Sequence, residues 1–136
     1  MKGIYVLLID VKNAIHINVG RLGEVAFTSG LYAYIGSAQN NIEKRVERHL
    51  RKRKRCFWHI DYLLSQDDST VLEVLYKAGA KEEECRVAKS LAAKNESFRS
   101  FGCSDCRCES HLFKLSENTV NLANLGFAPF MNLSEE

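Results

Sequence analysis

The sequence predicts an α+β fold, in which a small mixed and mainly antiparallel sheet is flanked by helices. Strand-like runs of β-branched and aromatic residues come first, separated by turn residues, and amphipathic helical periodicity begins only at about residue 42. The chain has 136 residues, of which 46% are hydrophobic and 26% charged, as is typical of a folded protein with a buried core. We therefore expect residues 1–136 to form a single domain.

The first third of the chain predicts an antiparallel meander of three or four strands. Residues 3–11 (GIYVLLIDV) have the composition of a strand, and residues 14–19 (AIHINV) alternate apolar and polar side chains as a half-solvated strand does. A third strand begins at residues 25–27, and a central strand begins at Leu31 and ends at Gly36.

The rest of the chain alternates between helix and strand patterns. In chain order, the sequence predicts a helix at 42 to about 52, a short buried helix or turn at 57–64, a strand at 71–76, a helix at 82 to about 94, a Cys-rich loop at about 102–111, a strand from His111 and a helix at 118–125.

The composition limits the classes of protein to which the chain can belong. No apolar run approaches the ~20 residues of a membrane-spanning helix, and the first residues lack the pattern of a signal peptide. We therefore expect a cytoplasmic protein. The five cysteines are an odd number, which argues against a disulfide framework and favours reduced thiols or a metal site.

A basic cluster lies between residues 45 and 55, although the net charge is only +2. It contains one acid, Glu47, and the cations Arg45, Arg48, Arg51, Lys52, Arg53, Lys54 and Arg55. Such a cluster attracts phosphate, so we expect nucleic acid as the partner, with DNA as the first choice, and Arg48, Arg51 and Lys52 as contacts. The alternative is a solvated helix end, where cations favour the negative pole of the helix dipole.

Tyr5 and Tyr34 are candidate catalytic residues. Each lies in the middle of a predicted strand, and the two phenols can lie together if these strands pair. A phenol can hold a water molecule, or accept its proton if a nearby cation lowers the pKa of the phenol. The alternative is that both tyrosines are ordinary core residues.

Arg45 and His49 are four residues apart and share a helix face with Ile42, which points that face inward. A buried arginine needs an anionic partner, and a phosphodiester offers two oxygens that match the guanidinium. The alternatives are a salt bridge from Arg45 to Glu84 and a core position for His49. His59 is a further candidate for contact with substrate.

Glu84 is a candidate metal ligand. It heads the apolar stripe of Val87, Ala88 and Leu91, so its carboxylate lies on the buried face of the helix and needs a cation or a metal. One or two carboxylates together with substrate phosphate commonly hold Mg²⁺. The alternative is an acid that merely favours the first turn of a helix.

The motif C-x2-C-x-C-x2-H is formed by Cys103, Cys106, Cys108 and His111. Zn²⁺ accepts three thiolates and an imidazole in tetrahedral geometry, so zinc is a second candidate cofactor. Cys85 could also reach this loop. Alternatively, the loop packs beside the site and places Asp105 and His111 near phosphate.

The tripeptides GIY at residues 3–5 and YIG at residues 34–36, followed by a helix with Arg45 and His49, resemble the core of the GIY-YIG nuclease superfamily. The runs YAYIGSA, RVERHLR, WHIDYLL, ECRVA and SDCRCESHLF look like a small prokaryotic subfamily catalogued as a domain of unknown function. The resemblance covers the chain from Gly3 to about Phe113.

The resemblance implies single-metal hydrolysis of a phosphodiester. Mg²⁺ or Mn²⁺ would be held by Glu84, Arg45 would contact phosphate, Tyr5 or Tyr34 would assist the attacking water, and Gly36 would keep the backbone close. The sequence therefore predicts a metal-dependent endonuclease-like domain. Two alternatives stay open, a non-catalytic nucleic-acid-binding module of the same fold and a zinc-stabilised interaction protein.

Overall fold

The computed structural model describes residues 3–103, 108–116 and 125–132, with the side chains of all of them except 131 and 132. Its elements in chain order are β1 (Gly3–Val11), β2 (Ile15–Asn18), a 3-10 turn (Gly20–Leu22), β3 (Glu24–Phe27), β4 (Gly30–Ala38), α1 (Ile42–Leu50), α2 (His59–Leu64), β5 (Ser69–Lys77), α3 (Lys81–Ala92), β6 (Glu96–Ser97), β7 (Leu112–Lys114) and β8 (Ala128–Asn132).

The predicted α+β class with a mainly antiparallel sheet is confirmed. Six strands lie in the order β6-β7-β4-β1-β5-β8, and β1 pairs with β4 and β5 on its two sides. Each strand pair among the described residues is antiparallel. The register of β1 and β4 places Tyr5 opposite Gly36, at the centre of the sheet.

The predicted meander is interrupted, because β2 and β3 form a separate two-stranded sheet. Residues of β2 alternate between half-buried and exposed, and its apolar members Ile15 and Ile17 pack against the main core. This hairpin therefore covers the core with one apolar face instead of adding to the ladder, and β4 returns directly to β1 over nine residue pairs.

Helices cover both faces of the sheet because successive side chains of a strand point in opposite directions. Tyr5, Leu7 and Ile9 of β1 belong to one core cluster with residues of α1 and α2. Ile4 and Val6 belong to the other cluster, which α3 completes with Val87, Ala88 and Leu91. β1 is thus buried on both faces, which explains why its sequence is almost continuously apolar.

The ends of α1 are defined by polar side chains. The Asn41 side chain accepts a hydrogen bond from the Lys44 N–H at the first turn. At the other end, Lys54 Nζ donates to the carbonyl oxygens of Arg48, His49 and Arg51. The Arg48 carbonyl also accepts the N–H of Arg51, the residue that follows the helix. A lysine of the basic cluster thus closes α1 at Leu50, two residues before the predicted end.

The C-terminal part of the sheet adds two strands that the sequence does not predict. β6 has two residues and lies between the predicted helix that ends at about 94 and the predicted Cys-rich loop, and β8 forms the edge of the sheet beside β5. β8 contains Pro129, which an edge strand tolerates because one side of the strand needs no N–H donors. The predicted helix at 118–125 falls outside the described residues except for Leu125.

A buried ion pair organises the connection between α1 and α2. Arg48 donates from both terminal nitrogens to the two oxygens of Asp61, each at 2.9 Å. The same carboxylate accepts the N–H groups of Phe57 and Trp58 at 2.8 Å. Burial alone would raise the pKa of Asp61, but these donors lower the pKa below its ordinary value. The carboxylate is therefore fully compensated.

Replacing Asp61 with Ala should lower the free energy of unfolding by about 3 kcal/mol or more, because Arg48 and two N–H groups lose their buried acceptor. Urea titration measures the change. Asp67→Ala is the matched control, since Asp67 is exposed, and its effect should stay within about 0.5 kcal/mol. Equal effects of the two substitutions would show that the ion pair does not support the fold.

Candidate functional site

A cleft of about 850 Å³ opens where β4 extends beyond β7. β7 pairs only with the stretch from Tyr32 to Tyr34, and the Ile35 N–H donates to the His111 carbonyl. Among the described strands, none continues along the outer edge of β4 after that point. Residues that line the cleft include Tyr5, Tyr34, Gly36, Ser37, Arg45, Trp58, His59, Lys81 and Glu84.

Gly36 provides the room that Tyr5 occupies. A Cβ atom at this position would lie 2.4 Å from both Cζ and Oη of Tyr5, closer than any real contact. Only a glycine therefore lets the Tyr5 ring lie against the neighbouring strand and bring its phenol to the cleft. The predicted role of Gly36 towards substrate stays a prediction.

Tyr5 and His49 form a buried pair. The Tyr5 phenol oxygen lies 2.7 Å from His49 Nε2, within hydrogen-bonding distance. Burial lowers the pKa of His49 to about 3, so the ring is neutral at pH 7. Burial also raises the pKa of Tyr5 above its ordinary value, and the nearby Arg45 partly opposes that shift. Tyr5 is therefore a protonated phenol held by a neutral imidazole.

Tyr34 lies next to this pair on the same face of the sheet. Its ring packs edge-on against His49 and Phe101, with centroids 6.1 and 6.5 Å away. Burial raises the pKa of Tyr34 well above its ordinary value. The two predicted catalytic tyrosines thus line one cleft, and His49 touches both rings.

Arg45 extends from α1 across the ring of Trp58, with Cζ 4.5 Å from the ring centroid. One of its terminal nitrogens donates to the Ser37 carbonyl at 3.1 Å. Within the described parts of the chain, Arg45 forms no ion pair with a carboxylate, so the alternative of a salt bridge to Glu84 is not observed. A stacked guanidinium with a neutral partner keeps its charge available to an anion.

Glu84 reaches the cleft from the opposite layer. It lies in the first turn of α3, which packs on the other face of the sheet, and the residue is only 6% exposed. Its Oε1 accepts from the Ser37 hydroxyl at 3.1 Å, and its Oε2 lies 3.1 Å from His111 Nδ1. The uncovered end of β4 leaves the opening through which this carboxylate meets the residues of the other face.

Several cations of the basic cluster lie or bind away from the cleft. Arg48 binds Asp61 and stacks 4.4 Å from the centre of the Trp58 ring, and Lys52 donates to the Ser69 carbonyl. Arg51 is exposed, 4.0 Å from Glu47. None of these three predicted substrate contacts lines the cleft.

His59 does line the cleft, and its Nδ1 accepts the Gly102 N–H at 2.9 Å. Lys81 and Arg21 also line it, and neither is among the site residues predicted from the sequence. Lys81 precedes Glu84 by three residues on α3, so the two share a helix face, and that spacing could have identified the lysine. Arg21 lies in the 3-10 turn that joins β2 to β3, for which the sequence carries no comparable signal.

A group of possible metal ligands lies behind the cleft. One ligand atom each from Cys85, Cys108 and His111 lies within 4.8 Å of the other two, and the group could hold a metal ion. It shares Cys108 and His111 with the predicted motif. Cys103 instead donates from its thiol to the Phe101 carbonyl, and Cys106 lies outside the described residues.

Comparisons with known proteins identify the family. Residues 4–128 match the family model described as Domain of unknown function DUF123. The chain belongs to the DUF123 family. Searches of the curated proteins and of the solved structures gave no match. The predicted family of unknown function is thus confirmed, while a link from DUF123 to the GIY-YIG nucleases stays a prediction.

The helices in the described part of the chain are all too short or too polar to cross a membrane.

Replacing Gly36 with Ala should displace the Tyr5 ring and lower the free energy of unfolding by about 1–3 kcal/mol, because the added methyl overlaps the phenol. Gly79→Ala is the matched control, since its Cβ would come no closer than 3.3 Å to another side chain, at Cβ of Glu83. Urea titration of both variants measures the difference. A Gly36→Ala protein as stable as the control would contradict the close approach.

His49 should make the protein less stable in acid. Its pKa is about 3 when folded and about 6.5 in an unfolded chain, so the unfolded chain binds more protons between these values. Stability is then lost as the pH falls from about 6.5 towards about 3, with a slope of up to about 1.4 kcal/mol per unit.

Urea titrations at about pH 4.5 and about pH 7 measure that loss. The His49→Gln protein should lose less stability between the two pH values than the wild type. His16→Gln, at an exposed position, should behave like the wild type. The interpretation fails if His49→Gln keeps the wild-type dependence on pH.

Proposed function

We propose that the cleft hydrolyses phosphodiester bonds in nucleic acid, with DNA as the first choice, and that Glu84 holds one Mg²⁺ or Mn²⁺ ion for this reaction. The observation that carries the proposal is the meeting of Glu84 with Tyr5, Tyr34 and Arg45 around one open cleft. These residues come from four different elements and are up to 79 positions apart, between Tyr5 and Glu84. The resemblance of the sequence to GIY-YIG nucleases supports the same four residues.

Arg45 is suited to bind the phosphate. Its guanidinium is half-buried and stacked on Trp58, and its observed hydrogen-bond acceptor is the neutral Ser37 carbonyl. A phosphodiester would supply the negative charge that this arrangement lacks, through two oxygens that match the planar fork. Held in this position, the guanidinium stabilises the charge that develops on phosphate during cleavage.

The carboxylate of Glu84 fits a hard divalent cation. It is an oxygen ligand on the cleft wall, and each of its oxygens keeps a further lone pair beside the Ser37 hydroxyl at Oε1 and His111 Nδ1 near Oε2. One carboxylate, substrate phosphate and water molecules are a common ligand set for Mg²⁺. When bound, such an ion supplies Lewis acidity that polarises the phosphoryl oxygen.

Tyr5 and Tyr34 are suited to position the attacking water. Both phenols keep their protons at neutral pH, so each can donate a hydrogen bond and accept one. His49 fixes Tyr5 through the 2.7 Å contact, and Arg45 lies close enough to lower the pKa of Tyr5. A water held by the phenols is thereby oriented towards a phosphate held by Arg45.

Exposed cations that follow α1 and cations on the cleft wall support nucleic acid as the substrate. Arg51, Arg53 and Arg55 follow α1 and are all exposed, while Arg21 and Lys81 lie on the cleft wall. The described cleft is thus bordered by positive charge, which favours the approach of a polyanion and should make binding sensitive to salt.

Replacing Glu84 with Gln should lower Mn²⁺-dependent nicking of supercoiled plasmid by about 100-fold or more, because the metal loses its carboxylate. Glu82→Gln is the matched control, since it changes an exposed acid two residues away on the same helix. Gel electrophoresis of the nicked product measures the rate. Circular dichroism of both variants checks that the fold is retained.

A plasmid-nicking rate that is the same in wild type and Glu84→Gln would overturn hydrolysis. If the wild type then still retards plasmid in a gel, and the effect fades with rising salt, the fold serves as a non-catalytic nucleic-acid-binding module. Retardation of plasmid should weaken in the Arg51→Ala, Arg53→Ala and Arg55→Ala triple variant under either function.

A further inference from the structure

We propose that Cys85, Cys108 and His111 form a zinc site that stabilises the fold, separate from the cation proposed at Glu84. Their ligand atoms lie within 4.8 Å of one another. A tetrahedral zinc ion with bonds of about 2.0–2.3 Å spaces its ligands roughly 3.5–4 Å apart, so only a small contraction is needed. Two thiolates and an imidazole are ligands that zinc prefers, and the fourth position is open to another donor.

The backbone already holds the ligands in place. His111 is 2% exposed, its N–H donates to the Phe101 carbonyl, and its own carbonyl accepts the Ile35 N–H, both at 2.9 Å. Cys85 lies on α3, which is fixed to the sheet by its buried apolar stripe. Binding would therefore require little ordering of the chain, which favours affinity.

A carboxylate lies next to the histidine, as it commonly does in zinc sites. Glu84 Oε2 is 3.1 Å from His111 Nδ1, and both residues are buried. Histidines that bind zinc usually place their other ring nitrogen against a carboxylate or a carbonyl, which fixes the orientation of the ring. With zinc bound through Nε2, the contact at Nδ1 gives His111 the kind of second partner that a metal-binding imidazole has.

The chemistry of the site points to a structural ion. None of its three members lines the cleft, so substrate does not reach the group from that side. Cys85 and Cys108 are both thiols rather than disulfide cysteines. A zinc ion would join the first half of α3 to the segment that precedes β7, two parts of the chain more than 20 residues apart.

The decisive test compares Cys85→Ser with Cys103→Ser. The full chain is purified without chelator, and its zinc is measured by inductively coupled plasma mass spectrometry. We expect about one zinc ion per wild-type chain, less than about a tenth of that in Cys85→Ser, and the wild-type amount in Cys103→Ser. Cys56→Ser controls for the loss of any thiol, since its sulfur lies beside Ser65 on another part of the fold.

Zinc lost in Cys103→Ser but kept in Cys85→Ser would overturn the proposed ligand set. Zinc absent from the wild type, or Cys85 and Cys108 joined in a disulfide found by peptide mass mapping, would overturn the site itself. Because Cys85→Ser can fail to fold, the wild type is also treated with a chelator, and its melting temperature should fall and recover when zinc is restored. These readouts do not use nuclease activity, so they stand or fall independently of the proposed hydrolysis.

Discussion

The pairing of β1 with β4 sets Tyr5 opposite Gly36, and the cleft depends on the space that this glycine leaves. A larger residue would push the Tyr5 ring away from β4 and break its contact with His49. That contact in turn fixes one face of α1, the helix that presents Arg45. The absence of a side chain at Gly36 therefore allows β1, β4 and α1 to approach one another at the cleft.

The distribution of charge around Trp58 bears on the proposed binding of phosphate in the cleft. Arg45 and Arg48 are three residues apart on α1, and both lie about 4.5 Å from the centre of the Trp58 ring. Arg48 is compensated by the buried Asp61, whereas Arg45 has a carbonyl as its observed partner. The fold thus neutralises the guanidinium of Arg48 and leaves the positive charge of Arg45 at the cleft. A low local dielectric there would strengthen the attraction of Arg45 for phosphate.

The sequence predicts this architecture well where the pattern is local. The apolar runs of β1 and β4 and the stripe of α3 give the fold class and the inward position of Glu84, and the two tripeptides indicate Tyr5 and Tyr34. The structure divides the basic cluster in a way that the sequence does not show, because some of its cations find distant partners. Arg48 meets a carboxylate 13 positions away and Lys52 a carbonyl 17 positions away, and neither contact has a periodic signal.

The cysteines also show that spacing along the chain does not reveal contacts between distant residues. They connect the sites of the two proposed ions. Spacing along the chain favours Cys103, whereas folding brings Cys85 from a helix to Cys108 and His111. Cys85 directly follows Glu84, and consecutive side chains of a helix diverge by about 100°. The two side chains therefore belong to the two different proposed sites. His111 lies 3.1 Å from Glu84 while it belongs to the thiol group. The first turn of α3 therefore borders both proposed sites. Any contact that fixes Cys85, Cys108 and His111 also limits how the Glu84 carboxylate can turn towards the cleft.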